Sequence, residues 1–277
     1  MGLRISTNVT SLAAQRTLGA TNDQQGKVLN QLSSGTRIVR SADDAAGLAI
    51  SEKLKSQIRS TNQAERNAND GISLIQTAEG GLNEIGSILV RMRELSVQSA
   101  SDTVGDTERK FTDLEYQNLK SEIERISQVT EFNGKKLLNG QGEKLDFQIG
   151  INNNDFEDRI SYASDATVAT VAGLGVDGLD VTSKESSQVA LKTLDDAIQN
   201  VSGQRAFLGA TQNRLTSTVT NLQVTSENLS SANSRIRDTD FAAATAENTK
   251  LNILKNAGTS VLGQANSQGQ AALKLIG

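Results

Sequence analysis

The chain has 277 residues, of which 36% are hydrophobic and only 3% aromatic, and its formal net charge is −4. It contains no His, Cys, Pro or Trp, so it lacks the commonest general acid–base side chain, the thiol nucleophile and the usual zinc and iron–sulfur ligands. The acidic balance argues against a nucleic-acid-binding surface, which would be basic. So few large side chains favour long helices packed through thin apolar stripes over a compact enzyme core. Without proline no helix is kinked by that route. No run approaches the ~18 apolar residues of a membrane span, and "MGLRISTNVTS" has no apolar signal region. Residues 1–6 fit the loose myristoylation pattern, which is set aside because no second membrane signal accompanies it.

In chain order, Ile5, Val9 and Leu12, then Val28 and Leu32, mark a first helix with a polar middle. Its apolar stripe is too thin for stability alone in water. "SSGTRIVRSADD" follows. Gly35 suits a left-handed helix end. Ser41 and Asp44 have capping-box spacing, and Asp43 and Asp44 lie at the positive end of the next helix dipole. The paired carboxylates therefore restart a helix and are not a catalytic dyad. Arg37 and Arg40 in the same stretch are available to neighbours.

A second helix is expected over 45–100, with Ile75, Ala78, Leu82, Ile85, Leu89 and Met92 stepping by three and four. Gly71, Gly80, Gly81 and Gly86 weaken it by up to ~1 kcal/mol each and imply close helix contacts. Gly105 makes a turn into a third helix, 106–129, whose stripe is Phe111, Leu114, Leu119, Ile123 and Ile126.

Between 130 and 186 the period changes to two. Leu145, Phe147 and Ile149, then Ile160 and Tyr162, read as a β-hairpin. The intervening Asn152, Asn153, Asn154 and Asp155 lack the ligand alternation and closing glutamate of a calcium hand and read as its tip. "ATVATVAGLGVDGLDVTS" reads as a further β-and-turn stretch.

The long helix that follows, 187–237, carries Leu194, Val201, Leu208, Leu215, Leu222, Leu229 and Ile236 seven residues apart. Small residues (Ala197, Thr211, Thr218, Thr225, Ala232) fall three later. Ile198, Arg205, Gln212, Val219, Ser226 and Asn233 fall four later. This is a narrow seam for close approach of a partner helix, with polar positions that fix register. "SRIRDTDFAAA" then pairs Arg235 and Arg237 with Asp238 and Asp240 at another helix start. The last segment spaces Leu251, Leu254, Val261, Leu262, Leu273 and Ile276 among Asn, Gln and Gly. The two terminal segments are expected to be disordered in the free chain and to fold through many-copy packing.

The fold class expected is mainly α: a long antiparallel coiled-coil-like bundle with a small β-hairpin insertion and paired N- and C-terminal helices. The domains expected are 1–33 with 241–277 as terminal helices, 34–46 with 234–240 as linkers, and 47–233 as the bundle, its β region at about 140–186.

"LSSGTRIVRSADDAAGLAISEKL", "QAERNANDGISLIQTAEGGLNEI", "RMRELSVQSA" and "EFNGKKLL" resemble the N-terminal region of bacterial flagellins. "LDDAIQNVSGQRAFLGATQNRL", "SRIRDTDFAAATAENTK" and "ILKNAGTSVLGQAN" resemble their C-terminal region. The resemblance covers about 1–140 and 188–277. It implies a filament subunit whose terminal helices form an inner tube and whose bundle forms an outer tube, without the variable outer domains of longer members. It also implies an extracellular location after export through the flagellum's own type III apparatus. The partners implied are further copies of the chain, the cap and hook–filament junction proteins, an export chaperone and the innate immune receptor Toll-like receptor 5. The family's receptor-contact motif falls on "VRMRELSVQ", with Arg91 and Leu95 at its key places and Glu115 on the next helix. No catalytic, cofactor-binding or metal-ligating residues are implied.

Three other readings are weaker. A carboxylate hydrolase using Asp43/Asp44 or Asp195/Asp196 lacks a nucleophile–base constellation. A chemoreceptor rod shares the Ala, Ser and Gln content but has membrane spans and no mid-chain β insertion. A hook-associated junction protein shares the terminal helices and is the nearest alternative. "NVT" at Asn8 and "NLS" at Asn228 match the N-glycosylation pattern on predicted helices and are disregarded.

Overall fold

The computed structural model describes residues 7–142 and 144–274, with side chains for all of these except 165, 166 and 268–274. The expected stripe residues Ile5 and Ile276 lie outside the described residues, as does the side chain of Leu273. The elements are α1 (Val9–Ser34), α2 (Ala45–Ser99), α3 (Asp106–Val129), β1 (Glu131–Phe132), β2 (Lys135–Lys136), β3 (Leu145–Gln148) and β4 (Arg159–Tyr162). A 3₁₀ turn (Ser164–Thr167), α4 (Lys184–Arg237) and α5 (Phe241–Lys274) follow. The chain divides into two compact units, Arg59–Glu227, and Met1–Ile58 with Asn228–Gly277.

In the unit 59–227, α2 and α4 run antiparallel. Arg93 pairs with Asp195 at 2.6 Å, the Gln223 amide donates to Glu65 at 2.8 Å, and the Ser226 hydroxyl donates to Asn62 at 2.8 Å. The three–four spacing of Ile75, Ala78, Leu82, Ile85, Leu89 and Met92 turns all six into one core. Leu194, Val201, Leu208 and Leu215 of α4 complete it, with Ala197 and Thr211 buried beside them. Leu222 is half-buried, since the core ends at Val219. Beyond that point polar pairs such as Ser226–Asn62 take over.

Of the stripe expected on the third helix, Leu119, Ile123 and Ile126 face inward and Phe111 and Leu114 do not. Phe111 and Leu114 are 72% and 65% exposed. The inward row is Arg109, Tyr116 and Ile123, seven apart, with Leu119 and Ile126 half-buried. Arg109 takes the first place in that row because the turn before α3 needs a donor. Its guanidinium donates to the carbonyls of Ser99 (2.9 Å) and Ser101 (3.0 Å) and to Asp106 (3.0 Å). The Ser99 carbonyl is one of the last of α2, which lack partners within the helix, and the Ser101 carbonyl also accepts from Val104 N–H.

Two hairpins follow. β1 and β2 are joined by Asn133 and Gly134, both at positive φ (50° and 76°), the requirement of a two-residue turn. β3 and β4 pair antiparallel, Phe147 opposite Ile160 and Leu145 opposite Tyr162. The Asn/Asp cluster forms the loop between them: Asp158 accepts from the backbone of Asn152 and Asn154, while Arg159 donates to Asn153 and Asp155.

The stretch 163–183 contains no strand, contrary to the β reading of its alternating valines. Its backbone is held by side chains of α3. Glu124 accepts from Val171 N–H (3.0 Å), Asp113 accepts from Val181 N–H (3.1 Å), and Lys120 donates to the Asp177 carbonyl (2.6 Å). With donors satisfied this way, Val171, Leu174, Val176 and Val181 drop into the core without sheet pairing.

In the unit 1–58 with 228–277, α1 and α5 lie antiparallel. Asn8 caps α1 by accepting from Ser11 N–H at 3.0 Å, and Gly35 ends it at φ 69°. Among the described residues of the pair, Val28 and Leu251 are the large aliphatic side chains that are buried, joined by Ser11, Gln25 and Ala265. Val9, Leu12, Leu29, Phe241, Ile253, Leu254 and Val261 remain exposed.

The glycines expected at close contacts divide. A Cβ on Gly71 would meet the Phe147 ring at 3.1 Å, and one on Gly81 would lie 2.8 Å from both Leu138 Cδ1 and Thr130 Oγ1. Gly86 has only ordinary contact with Val201, and Gly80 faces open space. Neighbouring substitutions in α2 should therefore act oppositely. Gly80→Ala stabilises by about 0.5–1 kcal/mol through helix propensity. Gly81→Ala destabilises by about 1–3 kcal/mol through overpacking against buried Leu138. Thermal unfolding of the two single variants checks this, and a lowered midpoint for Gly80→Ala contradicts it.

Candidate self-assembly surfaces

The two connector segments, 35–44 and 238–240, are fastened to each other. Thr36 forms a β-bridge with Asp238, Arg37 N–H donates to the Arg237 carbonyl at 2.6 Å, and Thr239 N–H donates to the Gly35 carbonyl at 3.1 Å. The Arg37 guanidinium adds a bond to the Ile236 carbonyl (2.7 Å), and Ile38 is buried beside this ladder. Arg237 reaches Glu52 at 2.6 Å, and the Ser51 hydroxyl donates to Asn233 at 2.9 Å. Arg37, expected to be available to neighbours, makes these bonds within its own chain while its side chain stays about half exposed, and Arg40 is exposed as well.

The aspartates do local work, with the cap three residues later than the capping-box spacing suggested. Residues 41–43 form a turn, with Asp43 N–H donating to the Arg40 carbonyl, so α2 starts only at Ala45. The cap is therefore Asp44, whose carboxylate accepts from Gly47 N–H at 2.8 Å. Asp43 accepts from Val39 N–H (3.2 Å) and Arg40 N–H (3.0 Å) and pairs with Lys27 of α1 at 2.9 Å. Asp240 caps α5, accepting from Ala242 and Ala243 N–H. Arg235 donates to Ser231 one turn back, and Asp238 is exposed. Lys27 carries no motif that would mark it from sequence, because its partner lies across a helix end and a turn.

In the seam of α4, the last two members, Leu229 and Ile236, are half-buried. On the exposed face of α2 and α3, Arg91 binds Glu115 at 2.9 Å and Glu94 at 3.0 Å. Both carboxylates, Glu115 first, hold its guanidinium more firmly protonated than usual. Val90 and Val97 of α2 and Phe111 and Leu114 of α3 are exposed, while Leu95 is buried. The structure so brings Arg91 and Glu115 together and places Leu95 in the core. Phe111 and Leu114 were read as core, and only the Arg109 row reveals that they point out.

The Lys27 side chain, then the backbone donors of Arg40 and Val39, hold the Asp43 carboxyl below its ordinary value of 3.8. A carboxyl depressed on folding adds stability above its unfolded pKa and loses it as pH falls through the lower folded value. The connector turn should therefore loosen only in acid, below the ordinary aspartate range. An NMR titration should place Asp43 below free aspartate and Lys27→Ala should move it up. An Asp43 that titrates normally in the parent chain contradicts the pairing.

Among the described residues no group of three or more acidic, His or Cys side chains is placed to hold a metal ion, and no helix is long and apolar enough to cross a membrane. What the helices offer instead is apolar side chains turned outward on α1, α2, α3 and α5. That is the character of a structural helical subunit that associates with like chains. Residues 5–143 match the bacterial flagellin N-terminal helical region and residues 191–276 the bacterial flagellin C-terminal helical region. The flagellin of Halalkalibacterium halodurans is 44% identical over 98% of this chain and 99% of its own length. That of Bacillus subtilis is 44% identical over 99% and 100%, and the flagellar filament 33 kDa core protein of Treponema phagedenis is 43% identical over 98% and 99%. Among solved structures, Bacillus cereus flagellin aligns with a TM-score of 0.51 at 30% identity, over 57% of this chain and 88% of that one. A hook-associated protein from Vibrio parahaemolyticus aligns at 0.59 over 71% and 100%, but at 14% identity it shows the fold alone.

The chain belongs to the bacterial flagellin family, whose members are structural subunits of the extracellular flagellar filament and not enzymes. The residues between its two matched regions form the β3–β4 hairpin and the turns of 163–183, both joined to the helical core. The chain is a short form with no separate variable domain.

Proposed function

We propose that this chain builds the filament in two layers, the α1–α5 pair packing into an inner tube and the bundle 59–227 into an outer one. The observation that carries this reading is the exposed row Val9, Leu12, Leu29, Phe241, Ile253, Leu254 and Val261 on a helix pair with little buried apolar surface of its own. Such helices are marginal alone and gain apolar burial against further copies. Contacts that repeat without closing a ring produce a helical polymer. The partners on this reading are further copies, the cap and hook–filament junction proteins, an export chaperone and the flagellar type III apparatus.

On the same reading the cluster of Arg91 and Glu115, with Leu95 buried in the core on the same helix as Arg91, is a contact for Toll-like receptor 5. The paired charges and the exposed apolar residues of α2 and α3 supply polar and apolar contacts.

Removal of residues 1–30 or 245–277 should abolish polymerisation while the helical signal of the bundle persists. Electron microscopy of concentrated protein reads the first outcome and circular dichroism the second. Long filaments from truncated chains contradict the layer assignment, and short or absent polymers from the full chain point to a junction protein instead. For the receptor, purified monomer should activate receptor-bearing cells, and Arg91→Ala should lower that response. An inactive parent chain ends the receptor reading.

A further inference from the structure

The α1–α5 pair has one antiparallel register, and its apolar residues do little to select it. Leu18 lies over Gly258, where an added Cβ would be 3.3 Å from its Cδ1. Positions 251, 258 and 265 of α5 form a seven-residue row of Leu, Gly and Ala. A slip of one heptad would move Leu18 from Gly258 to Ala265, a change of one methyl group. Helices joined by so narrow a row tolerate such slips unless a polar contact opposes them.

One polar contact sits where a slip is costly. Gln25 is buried, and its amide is used at both ends: its N–H donates to Asn252 at 2.5 Å, and its oxygen accepts from Lys255 at 3.4 Å. A one-heptad slip would bring Thr245 or Thr259 to the place of Asn252. Both threonine hydroxyls already donate to their own helix, to the carbonyls of Phe241 (2.7 Å) and Asn256 (2.8 Å). Either hydroxyl can still accept from the Gln25 N–H, but the slip that puts Ala265 over Leu18 also puts Leu262 at the place of Lys255, so the buried Gln25 oxygen loses its donor and is penalised. The other polar contacts, Ser11 to Asn266 and Asn8 to the Ala265 carbonyl, lie at the first residues of α1, where helix ends fray.

We propose that Gln25, held between Asn252 and Lys255, is the register-determining residue of the terminal helix pair. It selects the one stagger in which α1 and α5 of the same chain can enter the polymer. This inference rests on the inner-layer reading above, but its test is separate.

The chain has no cysteine, so introduced thiols report register without background. Leu18→Cys with Gly258→Cys reports the native stagger, and Leu18→Cys with Ala265→Cys reports the slipped one. A short thiol cross-linker is applied to soluble chain and to filaments, and intramolecular product is counted. With Gln25 present, native product should exceed slipped product about tenfold, as a buried amide oxygen left without its donor implies. Gln25→Met, which keeps the size and removes both bonds, should bring the two within about threefold. Gln25→Glu can still accept from Asn252 and Lys255 and should restore the native excess. An unchanged native excess in Gln25→Met, or equal products with Gln25 present, overturns the proposal. Filament growth by the cysteine-free parent tests the inner-layer reading independently of either ratio.

Discussion

Everything in the unit 59–227 hangs on one row of aliphatic side chains facing another. Leu194, Val201, Leu208 and Leu215 meet the three–four row of α2 from Ile75 to Met92, and each fully buried member contributes about 1.5–3 kcal/mol. α3, both hairpins and the 163–183 turns are all arranged to cover that seam. This explains why so few aromatics suffice: long helices in parallel rows bury many medium side chains a little at a time. It also explains why the two tyrosines are placed as they are. Tyr162 fills the hairpin side of the core and donates its hydroxyl to the Leu137 carbonyl at 2.7 Å. Tyr116 fills the α3 side, where burial pushes its phenol up to about 12. Both remain neutral packing groups at any ordinary pH.

The connectors solve a different problem. Two chain segments leave two long helices and must enter two terminal helices without leaving backbone groups unpaired. Bridging Thr36 to Asp238 and Arg37 N–H to the Arg237 carbonyl uses each segment to satisfy the other. Four of the charged residues of the linker stretches, Arg37, Asp43, Asp44 and Arg237, make bonds within the chain here. Their presence near helix starts follows from dipoles and caps, so a charged motif at a junction need not face another subunit.

Periodic features were legible in the sequence because they have one physical cause. The bounds of α3, the heptads of α4, the β3–β4 alternation and the Gly35 helix end each follow from a single repeating constraint. What escaped depended on a partner distant in sequence. Phe111 and Leu114 looked like core because apolarity was the only signal available, and nothing local says that Arg109 is needed to close the turn after Ser99. The valines of 168–181 alternate like a strand, but Glu124 and Asp113 supply their backbone acceptors from another element. Asp44 took the cap from Ser41 because residues 41–43 turn first, which depends on Lys27 and Asp43. Flagellin motifs were readable without any of this, since they repeat whole segments and not single contacts.

The two units divide stability from specificity. A well-filled core in 59–227 holds that unit together while Val90, Val97, Phe111 and Leu114 stay exposed outside it. The terminal pair is built on the opposite principle: a richer apolar row would hold it together in isolation, but would also let any α1 join any α5 at several staggers. Small residues at 258 and 265 and a buried amide at 25 keep the pair weak and selective at once. On the layer and register readings proposed above, that combination is favourable in a polymer of identical chains, because the burial missing within one subunit is supplied by its neighbours only when every subunit presents the same stagger.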